Sequence, residues 1–155
     1  MNLLRRKFIK TATFVGGAIA IGGSALLPQR AIGAYNKAAF DARDPNGALT
    51  ASLGSDQHSA SDAIKLKAPD IAENGAVVPI TVSADMGNVS NISIVAVANP
   101  QPLTSTYVLS PAAEAYVSTR VKLAKTTDVV AVVKADGKLY SATKEVKVTI
   151  GGCGG

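Results

Sequence analysis

From Ile64 onward the chain alternates apolar and polar residues in short runs, each closed by turn-forming residues. Ile64-Lys65-Leu66-Lys67-Ala68 has the two-residue period of a half-buried strand. Ala76 to Ala84 follows an Asn74-Gly75 turn and ends at Asp85-Met86-Gly87-Asn88. Val89 to Ala98 runs into the breaker Asn99-Pro100-Gln101-Pro102, and a short Tyr107-Val108-Leu109 run comes next. Val117, Thr119, Val121 and Leu123 share one face of the following strand. Asp128 to Ala135 is apolar almost throughout, the pattern of a strand covered on both faces. Asp136-Gly137 predicts a type I′ hairpin into Lys138–Ile150. There Val146, Val148 and Ile150 point inward, and Glu145, Lys147 and Thr149 outward.

Upstream the period changes. Tyr35 to Arg43 predicts a short helix with Tyr35, Ala38, Ala39 and Phe40 near one face. Asp44-Pro45-Asn46-Gly47 should stop it, because the residue before a proline avoids helical geometry. Leu49 and Leu53 allow one more helical turn before Gly54, and Ser55 to Ser61 reads as a polar loop. About seven short strands with almost no helix predict an all-β fold, an immunoglobulin-like antiparallel β-sandwich. Pro79, inside a strand pattern, marks an edge or a bulge, and open edges invite a partner chain.

Residues 1–33 belong to no such pattern. Arg5, Arg6, Lys7 and Lys10 precede a 17-residue uncharged run, Thr11 to Leu27, which four glycines keep only mildly apolar. A membrane span needs about 20 strongly apolar residues, so the alternative of an uncleaved anchor fits less well. Leu4-Arg5-Arg6-Lys7-Phe8-Ile9-Lys10 resembles the twin-arginine export signal, with Leu4 in place of the usual Ser or Thr. A processing site falls after Gly33 or Ala34, and the expected destination is the periplasm, reached in the folded state. The chain divides into a leader (1–33), a sandwich domain with its helical start (34–150) and a tail (151–155).

The leader also accounts for the charge. Five of the 16 basic residues lie in it and none of the 11 acidic ones, so the exported chain carries 11 of each and is neutral. A neutral body without a basic run gives no support for nucleic-acid binding. About 121 residues remain, one domain.

Candidate chemistry is sparse. His58 is the only histidine, and a protein zinc site wants three or four ligands, so it reads as a solvated loop residue. His58 and Cys153 fall in separate segments, so neither a Ser-His-Asp nor a Cys-His arrangement is supported. No phosphate loop or dinucleotide fingerprint occurs, and no metal or cofactor is expected. Tyr107, Tyr116 and Tyr140 fit strand positions.

One feature stands apart: the only cysteine, Cys153, lies among Gly151, Gly152, Gly154 and Gly155. Glycine lacks Cβ, so this is a thin arm of wide backbone freedom, able to carry the thiol about 10 Å past Ile150. No neighbouring charge activates the thiol, yet its slim setting suits presentation to enzymes that supply activation themselves. A carrier needs those properties. An intermolecular disulfide on an exported structural or adhesive sandwich is the alternative from another class, and an engineered terminal handle would look similar. Ubiquitin-like sulfur carriers also end in Gly-Gly, but they need ATP and a β-grasp fold. A redox enzyme would need a second thiol.

Gly-Gly-Cys-Gly-Gly after Lys144-Glu145-Val146-Lys147-Val148-Thr149-Ile150 resembles the SoxY family, sulfur carriers of the bacterial thiosulfate-oxidising Sox system. The resemblance extends over residues 64–80, 116–120 and 127–140, and is weaker over Asp41 to Ser61. It implies covalent attachment of thiosulfate-derived species to Cys153, without catalysis by this chain. It implies a c-type cytochrome (SoxXA) that couples thiosulfate to the thiol and a hydrolase (SoxB) that releases sulfate. A molybdenum sulfane dehydrogenase or a sulfur store would take the remaining persulfide. It also implies a heterodimer with SoxZ, a second sandwich protein that travels as a passenger of the exported chain.

Overall fold

In a computed structural model, residues 35–149 are described. The leader with Arg5 and Arg6, and the tail carrying Gly151, Gly152, Cys153, Gly154 and Gly155, lie outside them. The described residues form a β-sandwich, as the alternation predicts, with two short helices laid on one sheet.

Helix α1 (Lys37–Asp41) is capped by Asn36, whose Oδ1 accepts from the Ala39 amide at 3.2 Å. The Asn36 amide group donates to the Ala51 carbonyl at 2.7 Å and so ties α1 to the next helix. The Lys37 ammonium is held above its ordinary pKa by the hydrogen bond to Asp41 and that carboxylate's charge.

Asp44-Pro45-Asn46-Gly47 does not end the helical region; it starts α2 (Pro45–Leu53). Asp44 is extended (φ −128°, ψ 148°), as a residue before proline should be, but that is also the geometry of an N-cap. Its carboxylate accepts from the Gly47 amide at 2.7 Å, and Pro45 occupies the first turn, where its missing N–H costs nothing. Gly54 closes the helix in the left-handed region (φ 86°). The expected single turn at Leu49 and Leu53 is thus a nine-residue helix.

Nine strands follow among the described residues: β1 (Ser59–Ala60), β2 (Ile64–Lys67), β3 (Ile71–Ala72), β4 (Val78–Ala84), β5 (Val89–Ala96), β6 (Leu103–Val108), β7 (Tyr116–Val121), β8 (Thr127–Ala135) and β9 (Lys138–Val148). The larger sheet runs β1-β9-β8-β5-β6, with β3 also on β9; the smaller runs β2-β4-β7. The main ladders are antiparallel, but β1 and β3 pair parallel to β9 at opposite ends of its outer flank. Each is two residues long, too short to display a period in the sequence.

Alternate positions of the central strands face two cores. Val129, Ala131 and Val133 of β8, with Ile92, Ile94 and Val146, fill the space between the sheets against Val78, Ile80 and Val82. Val132, with Val95, Leu103 and Leu139, lies beneath Ala39, Ala48, Leu49 and Leu53 of the helices. This second core explains why β8 reads as apolar on both faces.

Turn chemistry matches the sequence. Asp136 (φ 49°) and Gly137 (φ 76°) are both left-handed, as a type I′ turn demands. Asn88, also left-handed (φ 51°), donates to the Asp136 carboxylate at 2.8 Å and joins two turns at one end. Pro79 lies in the middle strand of the smaller sheet, but the β2 ladder stops at Thr81. The proline therefore occupies a locally open flank, in accord with an edge position.

Gly75 is required for packing. A Cβ there would sit 2.4 Å from the Leu123 carbonyl oxygen and 2.8 Å from a Val148 methyl. We expect Gly75→Ala to destabilise the domain by about 1–3 kcal/mol, read as a lower urea midpoint with unchanged slope.

Candidate functional site

The candidate attachment residue, Cys153, lies five residues beyond Val148, the end of β9, so the site is built from that strand's end. Val146 is fully buried between the sheets and Val148 is partly buried against the same core. Beyond Val146 the ladder to β8 runs out, since Thr127↔Val146 is its last pair. The Thr126 hydroxyl replaces it, accepting from the Val148 amide at 3.0 Å. On the other flank the Lys147 amide donates to the Asp70 carbonyl at 3.0 Å and the Thr149 amide to the Ala72 carbonyl at 3.1 Å. All three amides of residues 147–149 are thereby bonded, from alternating sides.

The segment that supplies the outer flank is itself pinned. Lys144 donates to the Ala68 carbonyl at 2.6 Å and pairs with the Asp70 carboxylate at 2.9 Å. Asp70 is exposed, so the ion pair contributes little and the carbonyl contact more. The Gly75 carbonyl accepts from the Leu123 amide at 2.7 Å, which closes the segment over Val148. Asn99 braces the Leu123 neighbourhood from behind, donating to the Lys122 carbonyl at 2.8 Å and accepting from the Ala124 amide at 2.9 Å. The Asn99-Pro100 breaker is thus part of the support for β9's end.

These supporting residues were not among the sequence candidates. Asn74-Gly75 carried a signal, but of a turn; nothing in the pattern marks Thr126 or Lys144 as a holder of β9. Cys153 and its four glycines lie beyond Thr149, outside the described residues, as do Arg5 and Arg6. The structure therefore brings together the root of the tail, not the tail itself.

His58 is exposed just before β1, and its Nδ1 lies 2.9 Å from the hydroxyl of buried Ser141 on β9. It is thus in the loop expected, with one polar partner. Among the described residues no three His, Cys, Asp or Glu side chains are placed to hold a metal ion, and no helix is long and apolar enough to cross a membrane.

The described residues thus end in a strand held on both flanks, in a two-sheet sandwich with two short helices on one face. The chain belongs to the SoxY family: the family of sulfur oxidation protein SoxY matches residues 49–153. The solved structure of the sulfur carrier protein SoxY from Chlorobium limicola f thiosulfatophilum superposes with a TM-score of 0.61 at 48% identity. That alignment covers 66% of this chain and 94% of that one. The superoxide reductase (neelaredoxin) from Ignicoccus hospitalis matches with a TM-score of 0.51, 21% identity, and coverage of 56% and 80%. A variant of that reductase gives 0.50, 21%, 59% and 81%; both likenesses are of fold alone. No curated protein matches the chain.

Replacing the lone histidine separates structure from chemistry. His58→Ala should lower stability by about 1 kcal/mol through the lost Ser141 partner. Thiosulfate-dependent adducts, read by intact-mass spectrometry, should form at the rate of the unsubstituted protein.

Proposed function

We propose that this chain carries the sulfur intermediates of thiosulfate oxidation as covalent adducts on Cys153 and presents them to separate enzymes. The observation that carries the reading is the reach of the SoxY-family match, which continues through β9 and ends on Cys153. The platform at Thr149 supports it, because a thiol that visits several active sites needs a fixed root. Gly151, Gly152, Gly154 and Gly155 serve as the arm, slim enough to enter a deep pocket.

In the proposed cycle the Cys153 thiol and thiosulfate join through a new S–S bond, releasing a proton and two electrons to a c-type cytochrome of the SoxXA kind. Water then cleaves the bond between the sulfane and sulfone sulfurs at a SoxB-type hydrolase, releasing sulfate and leaving a persulfide. A molybdenum sulfane dehydrogenase then oxidises the outer persulfide sulfur to a sulfonate, taking three oxygens from water and passing six electrons to a cytochrome acceptor, or the sulfur is handed to a store. The attached sulfonate adds negative charge that arginines in those pockets can grip. The chain supplies the attachment point, the enzymes the catalysis. A SoxZ-like sandwich subunit is the proposed permanent partner. The Arg5-Arg6 leader, residues 1–33, directs the folded pair to the periplasm and is removed there.

Intact-mass spectrometry of protein from thiosulfate-grown cells should show sulfur or sulfonate additions on the C-terminal peptide. Cys153→Ser should abolish both the additions and thiosulfate-dependent turnover by the reconstituted enzymes; retained turnover would refute the carrier role. A reducible dimer without sulfur additions would favour the structural-disulfide alternative.

Replacing Gly151, Gly152 and Gly154 together with Val should leave Cys153 open to small alkylating reagents but lower turnover by at least about tenfold, since side-chain bulk obstructs pocket entry. Equal turnover would show that a slim arm is unnecessary.

A further inference from the structure

Cys153 lies four residues beyond Thr149, and a fully extended chain advances at most about 3.3–3.6 Å per residue. The thiol can therefore lie up to roughly 14 Å from Thr149, the last described residue. An enzyme that encloses a Cys153-bound group must place the mouth of its pocket within that radius. The surface immediately around Thr149 then becomes interface.

That surface has a distinctive side. Thr149 is bonded to Ala72, and the segment around Ala72 lines an open depression of about 300 Å³. Ile71 (58% exposed) and Val77 (53% exposed) contribute to it, with Pro69 and Pro79, while Glu73 and Asn74 add polar groups. A single exposed aliphatic residue needs no explanation. Two of them, with two prolines, beside the root of a substrate-bearing tail do. The prolines lack an N–H, so an incoming strand could not continue the ladder here; the depression takes side chains instead. Four apolar residues are far fewer than the roughly 20–30 per side of a stable interface. The patch thus suits a brief contact, which a carrier serving several enzymes requires.

Resting on the Cys153 reading above, we infer that the Pro69–Ile71–Val77–Pro79 depression is the docking point for an apolar side chain on the catalytic rim of the enzymes that process the Cys153-bound group. Docking there aligns the arm with the pocket and is shared by successive enzymes, because the tail's short reach forces each of them to the same place.

The test uses the mature chain in complex with its SoxZ-type subunit, loaded as the S-thiosulfonate, and sulfate release by the SoxB-type hydrolase of the same system. Ile71→Asp/Val77→Asp should raise KM about tenfold while leaving kcat at saturation unchanged. Ile71→Ala/Val77→Ala should give a smaller rise in the same direction. Melting temperature and the rate of Cys153 alkylation by iodoacetamide should stay at unsubstituted values, which separates docking from damage to fold or arm. An unchanged KM on a properly loaded carrier overturns the docking site and leaves the carrier role standing. A KM increase accompanied by loss of the second subunit, or of a homodimer, in sedimentation assigns the patch to that partner and also overturns it. Failure of the unsubstituted protein to acquire any adduct on Cys153 removes the carrier reading itself, and docking with it.

Discussion

The fixed end of β9 is the constraint on which the other features depend. A terminal strand at a sheet edge would fray, since the last residues of a domain stay ordered only where they are tied down. Here β9 lies between β8 on one flank and β1 and β3 on the other, with Val146 fully buried beneath it. Its last three amides are satisfied by Asp70, Thr126 and Ala72. Each such bond contributes only about 0.5–1.5 kcal/mol net, and the three act on consecutive residues. Local fraying at this end is therefore opposed from both sides, and the position of Thr149 is held.

Holding that point requires a sheet that does not itself deform. A single cysteine in the sequence leaves burial to do what disulfides do in many small exported domains. The two helices supply the extra burial by covering the outer face of β5, β6 and β8 at Val95, Leu103 and Val132, so the central strands are packed on both sides. The core of the described residues needs no sulfur, so on the proposed reading Cys153 is left to carry the adduct. Lys134 joins the layers directly: from β8 its ammonium donates to the Leu53 carbonyl at the end of α2, at 3.1 Å.

Much of this was legible in the residues, and the exceptions share a cause. Two-residue alternation located β2, β4, β7 and β9, which have one buried face, while apolar runs closed by turn residues located β5 and β8, which are buried on both. Asp136-Gly137 identified its hairpin because few residues tolerate left-handed geometry at adjacent positions. The start of β6 at Leu103 was missed: Thr104, Ser105 and Thr106 are polar on both faces, and Thr106 joins a network with Ser93 and Asn91 that no apolar pattern reports. Asp44-Pro45 misled because one local geometry, an extended residue followed by a fixed proline φ, serves both a helix stop and a helix start. What decides between them is Leu49 and Leu53 reaching the sheet, a tertiary fact. β1 and β3 are defined only by the strand they touch. Cys153 stands out in the sequence as a lone cysteine among glycines and lies outside the described residues, whereas the holders of β9's end, Thr126, Lys144 and Gly75, are recognised only once distant segments meet.

The fold by itself does not choose the chemistry, since a superoxide reductase at 21% identity shares it. On the proposed reading the choice is made within four residues of Thr149, and this places an energetic demand on the partners. Fixing the backbone of one residue costs about 1–2 kcal/mol, and glycine loses more freedom than any other residue. Threading residues 151–155 into a catalytic pocket therefore costs at least roughly 5–10 kcal/mol before any chemistry begins. A thin glycine tail offers almost no side-chain surface to offset that cost. The compensation must come from the two ends: the charged sulfur group gripped inside the pocket, and contacts made by the body at the root. The first end changes as the adduct is processed, falling from a sulfonate to a persulfide. The second is constant. A carrier that must be captured when loaded and released when spent is best served when the constant contact is weak and the variable one decides, which is what a shallow patch of four apolar residues beside a rigid strand end provides.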